Sequence, residues 1–447
     1  MGIKTIDTIK SFPRSIHILV IGEGISALAM GIFTFLQILY YNFIGLSPES
    51  IGLIFSLGSL FTLIGFFIGP FIKIFGRKNL LCIGVGILSL GIIIHVFFTN
   101  FLILLLSQII ISIGTSLIQV TELQLLYSYT IECKECCAYS YKYSVALISS
   151  ALGILIGGNI DKLPFYLING YKVLFLVAFI MLFLTGIMRY IFLPKDIKVD
   201  ADLNEVKNIL KASTQSMKMD KKIRNFAILL SLVVLSFSAV GPYNNLILKI
   251  SFGLKNELIS YISFLLTILS MIGIIMMPAI IEKSGVEKFN FFIFMGIIVS
   301  CILLSIIKSP VTFVVILIIR CIFAFMISSS LESLMMSNIN TEYRDIFASV
   351  KMLVNGIAVS LGNFIGGIIL NNLGYKGNYL YGAIASIVSL VYFYIKVKSY
   401  MENKTVVKEC KCPFKQKKIV YKKDWILNNI KFKLIKLKYK YNIVIVI

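Results

Sequence analysis

Two charged side chains interrupt long apolar stretches of the sequence, and they are its first candidates for chemistry. Glu23 lies between Gly22 and Gly24, about seven residues into one apolar run, and Arg320 lies about ten residues into another. A charge held in lipid costs at least ~2.5 kcal/mol, so each one needs a reason to be there. Glu23 fits either a carboxylate that takes up and releases protons or an interfacial carboxylate in reach of water. Arg320 fits either a structural ion pair or contact with a bound solute.

Two acid–base pairs recur with nearly the same spacing along the chain. Glu122 and Glu332 are 210 residues apart, Lys142 and Lys351 are 209 apart, and all four lie near the ends of apolar stretches. Opposite charges in such positions favour salt bridges that close one face of a helix bundle. Direct contact with a solute is the weaker interpretation.

Other polar groups end the first and the seventh apolar stretch. Gln37 belongs to the first end, and Tyr243 and Asn244 belong to the seventh. They fit contact with a solute at an outer mouth, or simple placement at the membrane interface, where Tyr is favoured. The two histidines, His17 and His95, are near membrane edges and are too few to build a site.

Five of the eight cysteines form two small groups, Cys133, Cys136 and Cys137 in one segment and Cys410 and Cys412 in another. Together they could offer thiolates to a soft metal or a redox sensor. Without a neighbouring histidine, incidental thiols are the favoured interpretation, so we expect no metal and no cofactor. The chain also lacks a phosphate-binding loop motif and any nucleophile–base constellation, which predicts a protein that is not an enzyme and has no catalytic residues.

The elements that must position these residues are membrane-spanning helices. Mean hydropathy is +0.91, and apolar stretches of about 20 residues, each long enough for a bilayer core, follow one another. Backbone polar groups stay paired in lipid only in helices or closed barrels, and the length of these stretches favours helices. The twelve predicted spans cover 17–40, 51–72, 79–99, 101–123, 142–161, 172–193, 225–246, 258–281, 289–307, 310–331, 346–370 and 378–397.

Basic residues predict the orientation. With both termini in the cytoplasm, the outer loops hold only six of the 43 Lys and Arg residues, namely Lys162, Lys172, Lys249, Lys255, Lys308 and Lys376. The net charge of +22 therefore indicates topology and contact with anionic lipid, above all at the Lys-rich tail, and not nucleic-acid binding. We expect a monomeric, multi-pass protein of the cell membrane, and the frequent Ile, Lys and Asn suggest a bacterial source.

The second half of the sequence repeats features of the first half in the same direction. Gly153, Gly157 and Gly158 return 209 residues later as Gly362, Gly366 and Gly367, and Gly76 returns as Gly285. The predicted organisation is a bundle over 1–194, a cytoplasmic linker over 195–224, a second bundle over 225–397 and a basic tail over 398–447. Such a repeat is typical of transporters, whose halves rock about a site between them. The spaced glycines allow either close helix packing or a hinge.

These features resemble the major facilitator superfamily. Its loop after the second span reads roughly Gly-x-x-x-Asp-Arg-x-Gly-Arg-Lys, and this chain matches it at Gly69, Gly76, Arg77 and Lys78, with Lys73 in place of the acidic residue. The second copy restores the acidic residue as Glu282, followed by Lys283 and Gly285. The fifth span is similar to an exporter signature, Gly-Pro-x-x-Gly-Gly, without its proline. Exporters of the family carry an Arg in span four, for which Gln108 is the nearest polar substitute here.

The resemblance implies an all-α membrane protein whose twelve helices form two six-helix bundles related by a parallel repeat. It implies a secondary active transporter that moves a small organic solute by alternating access, with the site lined by spans one, four, seven and ten. Proton-coupled efflux is the leading interpretation. Proton-linked uptake of a small anionic or polar metabolite is the first alternative, and a non-transporting membrane sensor or scaffold is the second.

Overall fold

The computed structural model describes residues 11–68, 72, 75–130, 135–162, 168–194, 221–338 and 344–400. Gly69, Lys73, Cys133, the tail beyond Tyr400 with Cys410 and Cys412, and nearly all of the predicted linker lie outside these residues. Cys136 lies within a helix, but its side chain lies outside the description as well.

Twelve helices run through this part of the chain, in which no strand occurs. Eleven segments are long and apolar enough to cross a membrane, and the last of them is two helices that meet at Gly374 (φ 65°). The predicted all-α fold with twelve spans is therefore confirmed. The helices are α1 Arg14–Phe43, α2 Pro48–Phe61, α3 Arg77–Phe97, α4 Phe101–Tyr129, α5 Glu135–Gly158, α6 Ile168–Phe192, α7 Lys221–Ile250, α8 Asn256–Ser284, α9 Val286–Ile306, α10 Pro310–Asn338, α11 344–373 and α12 375–392.

Two of these helices depart from regular geometry. The second span changes to a 3₁₀ helix at Thr62–Phe67, whereas the sequence predicted one continuous span to residue 72. The seventh is already helical at Lys221, the first described residue after the linker gap and four residues before the predicted boundary, and it is interrupted by a 3₁₀ turn at Gly241–Tyr243. Pro242 occupies the first turn of that 3₁₀ segment, where a missing backbone N–H is tolerated.

The sequence repeat is also a repeat of backbone conformation. Gly76 (φ 80°, ψ 153°) begins α3, and Gly285 (φ 80°, ψ 151°) begins α9. A positive φ strains any residue with a Cβ, so glycine is required at both turns. The same glycine signature therefore builds the same tight junction twice.

The glycines of α5 and α11 allow four close helix contacts. A Cβ added to Gly153 would overlap the backbone of α1 at Leu28, and a Cβ on its counterpart Gly362 would lie 2.9 Å from the Leu235 oxygen in α7. Gly158 faces α8 in the same way, and Gly367 faces α2, where an added Cβ would lie 2.7 Å from the Pro48 oxygen. Each half therefore uses its glycines once inside the half and once against the other half.

Contacts between the halves follow from this arrangement, with α2 packing on α11 and α5 packing on α8. Hydroxyl groups join α2 to α11, because the Ser56 and Ser360 oxygens lie 2.9 Å apart and the Asn363 amide donates to Ser59 at 3.1 Å. We call the side where α1 begins the terminal face, and the side where α1 ends the opposite face. At the opposite face Lys162 pairs with Glu257 across the halves at 2.6 Å, and this hydrogen bond raises the pKa of Lys162.

Candidate functional site

Four charged side chains meet inside the N-terminal half, toward the terminal face. Glu122 of α4 accepts from Arg189 of α6 at 2.6 Å and pairs with Lys142 of α5 at 3.1 Å. Glu23 of α1 lies 3.6 Å from each of the same two cations. We call these four residues the charge cluster. Two carboxylates face two cations, so the cluster is neutral when all four are ionised.

The two carboxylates of the charge cluster have different surroundings. The Glu122 side chain is 2% exposed and has the shorter ion pairs, whereas Glu23 is 18% exposed and has the longer ones. Protonation of Glu23 therefore gives up less ion pairing and less hydrogen bonding than protonation of Glu122.

Glycines beside Glu23 make room for its partners. A Cβ at Gly22 would lie 2.6 Å from Nε of Arg189, and a Cβ at Gly24 would lie 2.9 Å from Val145 in α5. These two glycines let α5 and α6 approach α1 closely enough for the cations to reach the carboxylate. The sequence reveals the glycines but not which helices they face.

Arg189 is a member of the cluster that the sequence analysis missed. Its guanidinium is fully buried, and two of its nitrogens, Nε and Nη1, have no hydrogen-bond partner in the described structure. Its position near the end of the sixth apolar stretch made it look like one of many basic residues at the cytoplasmic boundary. Its repeat counterpart, Lys398, pairs with Glu287 of α9 at 2.7 Å, whereas Arg189 pairs with Glu122 of α4, so the repeat does not indicate this partner.

The second predicted acid–base pair also forms. Lys351 of α11 donates to Glu332 of α10. Both this pair and Lys142–Glu122 join neighbouring helices of one half, rather than one half to the other. Their role in closing the terminal face stays a prediction.

Arg320 is buried in the C-terminal half and has unusual neighbours. Its Nε donates to the Cys301 sulfur of α9 at 3.1 Å, and its guanidinium lies 5.7 Å from the centre of the Tyr379 ring in α12. Its Nη2 has no partner, and no carboxylate of the described residues pairs with it. The internal ion pair considered for Arg320 therefore has no acidic partner in this part of the chain.

The residues expected at an outer mouth are buried instead. Tyr243 is fully buried and donates to the backbone oxygen of Asn363 at 2.5 Å. Asn244 accepts from the Tyr379 hydroxyl at 3.0 Å, which connects α7 to α12 and to the surroundings of Arg320. Aromatic packing and hydrogen bonds, and not the membrane interface, hold these side chains.

A second polar group of the N-terminal half contains Gln37 and Gln108. The Gln37 amide nitrogen donates to Gln108 at 2.7 Å and to the Tyr41 hydroxyl at 2.9 Å. That hydroxyl lies 2.8 Å from Nε2 of His95, which is fully buried. The sequence analysis set His95 aside, because nothing in the sequence shows that Gln37 and Tyr41, one helical turn apart, both face α3 and α4.

Several residues of the loop motif after the second span, and of its second copy, lie among the described residues. Lys78 is buried and donates to the Leu193 backbone oxygen at 2.5 Å, which connects the start of α3 to the end of α6. Glu282 and Lys283 are exposed at the end of α8, just before Gly285. Arg77 is half-buried at the start of α3.

The described residues contain no group of three His, Cys, Asp or Glu side chains that could hold a metal ion. Cys137 is a free thiol there.

Known proteins support a transporter fold. A bacterial homologue of the human lysosomal transporter Spinster, in an inward-facing and unoccupied conformation, matches with a TM-score of 0.67, 12% identity and coverage of 87% of this chain and 96% of that one. A POT family transporter in complex with a thioalcohol-conjugated peptide matches with a TM-score of 0.68 and 14% identity, and the match covers 87% of this chain and 98% of that one. The nucleoside transporter NupG matches with a TM-score of 0.65 and 13% identity, and the match covers 87% of this chain and 99% of that one.

No curated protein sequence matches the chain. The sequence profile of the Major Facilitator Superfamily, however, matches residues 19–362, which is most of the chain. The twelve helices, the repeated glycine contacts and the transporter neighbours agree with this match. The chain belongs to the Major Facilitator Superfamily of membrane transporters.

Proposed function

We propose that the protein is a proton-coupled secondary transporter that exports a small organic solute by alternating access of its two halves. The observation that carries the coupling is the charge cluster, in which Glu23 shares both cations with the better-bound Glu122. When Glu23 takes a proton, the cluster gains one net positive charge, and Lys142 and Arg189 are left to Glu122. A proton on Glu23 thereby changes the forces between α1, α5 and α6.

The proposal includes a place and an organisation. The halves 1–194 and 225–397 move as two bundles, with the linker 195–224 and both termini in the cytoplasm of the cell that makes the protein. The terminal face is then the cytoplasmic face, and the Lys162–Glu257 pair closes the outer side. The protein acts as a monomer in the cell membrane, and the Lys-rich tail lies against anionic lipid.

The test is transport by Glu23→Gln in everted membrane vesicles, screened over a panel of labelled solutes that includes nucleosides, peptides and organic cations. We expect solute movement driven by a pH gradient to be abolished, because the amide has the carboxyl's shape but takes no proton. Solute exchange without a gradient should remain. Glu49→Gln is the control, since Glu49 lies in the first turn of α2 at the opposite face. Full gradient-driven transport by Glu23→Gln would remove Glu23 as the proton carrier.

Uptake of a small anionic solute is the second candidate, and Arg320 is the observation that favours it. Its buried guanidinium has one unpartnered nitrogen and no described acidic partner, so an anion would supply the missing charge. Comparing right-side-out with everted vesicles gives the direction. Accumulation of organic anions in right-side-out vesicles alone would favour uptake over export. Movement of no solute in either orientation would favour the sensor or scaffold alternative.

A further inference from the structure

The hydrogen bonds around His95 fix the direction of a chain of polar groups. The Ser107 hydroxyl donates to the Gly91 backbone oxygen at 2.7 Å. His95 Nδ1 lies 3.2 Å from that same oxygen and 3.1 Å from the Ser107 hydroxyl oxygen. Because a carbonyl oxygen only accepts, hydrogen on Nδ1 is the tautomer that uses the contact between His95 and the Gly91 oxygen while the serine proton stays on its shorter bond.

The remaining directions follow from that proton. In a neutral ring with hydrogen on Nδ1, Nε2 is an acceptor, so the Tyr41 hydroxyl donates to it at 2.8 Å. The single proton of Tyr41 is then used, and its oxygen must accept from Gln37 at 2.9 Å. This orients the Gln37 amide with its nitrogen toward Tyr41. The nitrogen's other hydrogen goes to Gln108 Oε1.

Two atoms of the glutamine pair are left over. Gln37 Oε1 accepts from no described residue, and Gln108 Nε2 donates to none. The Gln37 and Gln108 amides are joined by the 2.7 Å bond from Gln37 Nε2 to Gln108 Oε1. The remaining oxygen of Gln37 and the remaining nitrogen of Gln108 are therefore close to each other. Gly58 lets the backbone of α2 pack closely against the Gln108 side chain, because a Cβ there would lie 2.6 Å from Cγ and 3.3 Å from Nε2.

We infer that His95 is a positioning residue, which acts through Tyr41 to make the Gln37–Gln108 pair present one acceptor and one donor to a transported solute. The complementary solute is neutral and polar, with a donor beside an acceptor, as on the edge of an amide, an imide or a nucleobase. This inference rests on the proposed function in assuming that the protein transports a solute, and it adds the chemistry of that solute.

The first measurement needs no solute. The chain has two histidines, so the variant His17→Asn keeps only His95. NMR of this full-length variant in lipid nanodiscs, labelled with isotopes at histidine, therefore reports on His95 alone. We expect a neutral ring with hydrogen on Nδ1. Tyr41→Phe should shift the Nε2 resonance, whereas Tyr171→Phe, at the edge of the same buried aromatic group, should leave it. A hydrogen on Nε2 at neutral pH would overturn the inference.

The second measurement tests the solute class with matched probes. Thermal unfolding is followed with uracil beside its N,N′-dimethylated form, and with uridine beside its N-methylated form. We expect the unmethylated member of each pair to raise the unfolding temperature and the methylated one to have no effect. Tyr41→Phe, which keeps the ring, and Gln37→Leu should both lose the discrimination. Equal effects of the two members, or none from any probe, would overturn the solute class.

These outcomes separate the inference from the proposed function. Neither measurement uses a proton gradient, so loss of proton coupling in transport assays would not change them. Conversely, a protein that exports a solute under a proton gradient but has hydrogen on His95 Nε2 would keep the proposed function and lose this inference.

Discussion

At the residue scale, the four side chains of the charge cluster balance one another, and the balance depends on Arg189. The sequence predicted Glu122 and Lys142 as a pair and Glu23 as a separate feature, and the structure joins all three around a fourth residue. Residue type and spacing along one helix indicate which side chains are unusual in lipid. They carry no information about which helices cross beside one another, and the partners depend on that crossing.

Removing Arg189 should cost stability. In Arg189→Met, Glu122 keeps Lys142 but loses its 2.6 Å partner, leaving a buried carboxylate under-compensated. We expect the free energy of unfolding to fall by about 3–5 kcal/mol. The measurement is unfolding of purified protein in detergent. Arg224→Met, at an exposed position at the start of α7, is the matched control and should change it by less than about 0.5 kcal/mol.

A double substitution separates lost pairing from lost packing. In Arg189→Met combined with Glu122→Met, no charge is left without its partner, so we expect a smaller loss than in either single variant. Strictly additive losses would show that the two side chains do not interact, contrary to their 2.6 Å contact.

At the scale of elements, the glycine signatures were the most informative part of the sequence. Twelve spans were predicted, and close packing was one of the two roles considered for the α5 glycines, since hydropathy and the 209-residue spacing are properties of the chain itself. The 3₁₀ end of the second span and the break at Gly241–Tyr243 were not. The 3₁₀ end of the second span packs against α4 and α11, so tertiary contacts decide it, whereas the break in α7 contains Gly241 and Pro242, a helix-breaking pair that the prediction of a continuous span overlooked.

The packing role leads to a test on α5. In Gly153→Ala the new methyl group would overlap the Leu28 backbone of α1, which cannot move aside as a side chain can. We expect a loss of about 1–3 kcal/mol in unfolding free energy, the usual range for overpacking. Gly86→Ala in α3 is the control, because nothing lies within 4 Å of its added Cβ. It should be neutral or stabilising by up to about 1 kcal/mol. Equal stability of the two variants would contradict close packing at Gly153.

At the scale of the whole molecule, the distribution of basic residues predicts which face is cytoplasmic. Reporter domains fused after Lys162 and after Lys207 should lie on opposite sides of the membrane, with the second in the cytoplasm. Alkaline phosphatase activity should follow the first fusion only, and green fluorescence the second only. The same side for both fusions would rule out the twelve-span topology, and a fusion after Arg14 serves as a cytoplasmic reference.

The unequal charge of the two halves has a consequence for energy conversion. The charge cluster is neutral, whereas Arg320 carries one positive charge that no described carboxylate balances. A unit charge that crosses the whole membrane potential gains or loses about 2.3 kcal/mol per 100 mV. Any movement of the C-terminal half along the membrane normal carries the Arg320 charge through part of that potential. Under the proposed alternating access, the resting equilibrium between the two conformations then depends on voltage even when the solute is neutral, so an energised cell biases which face of the protein is open.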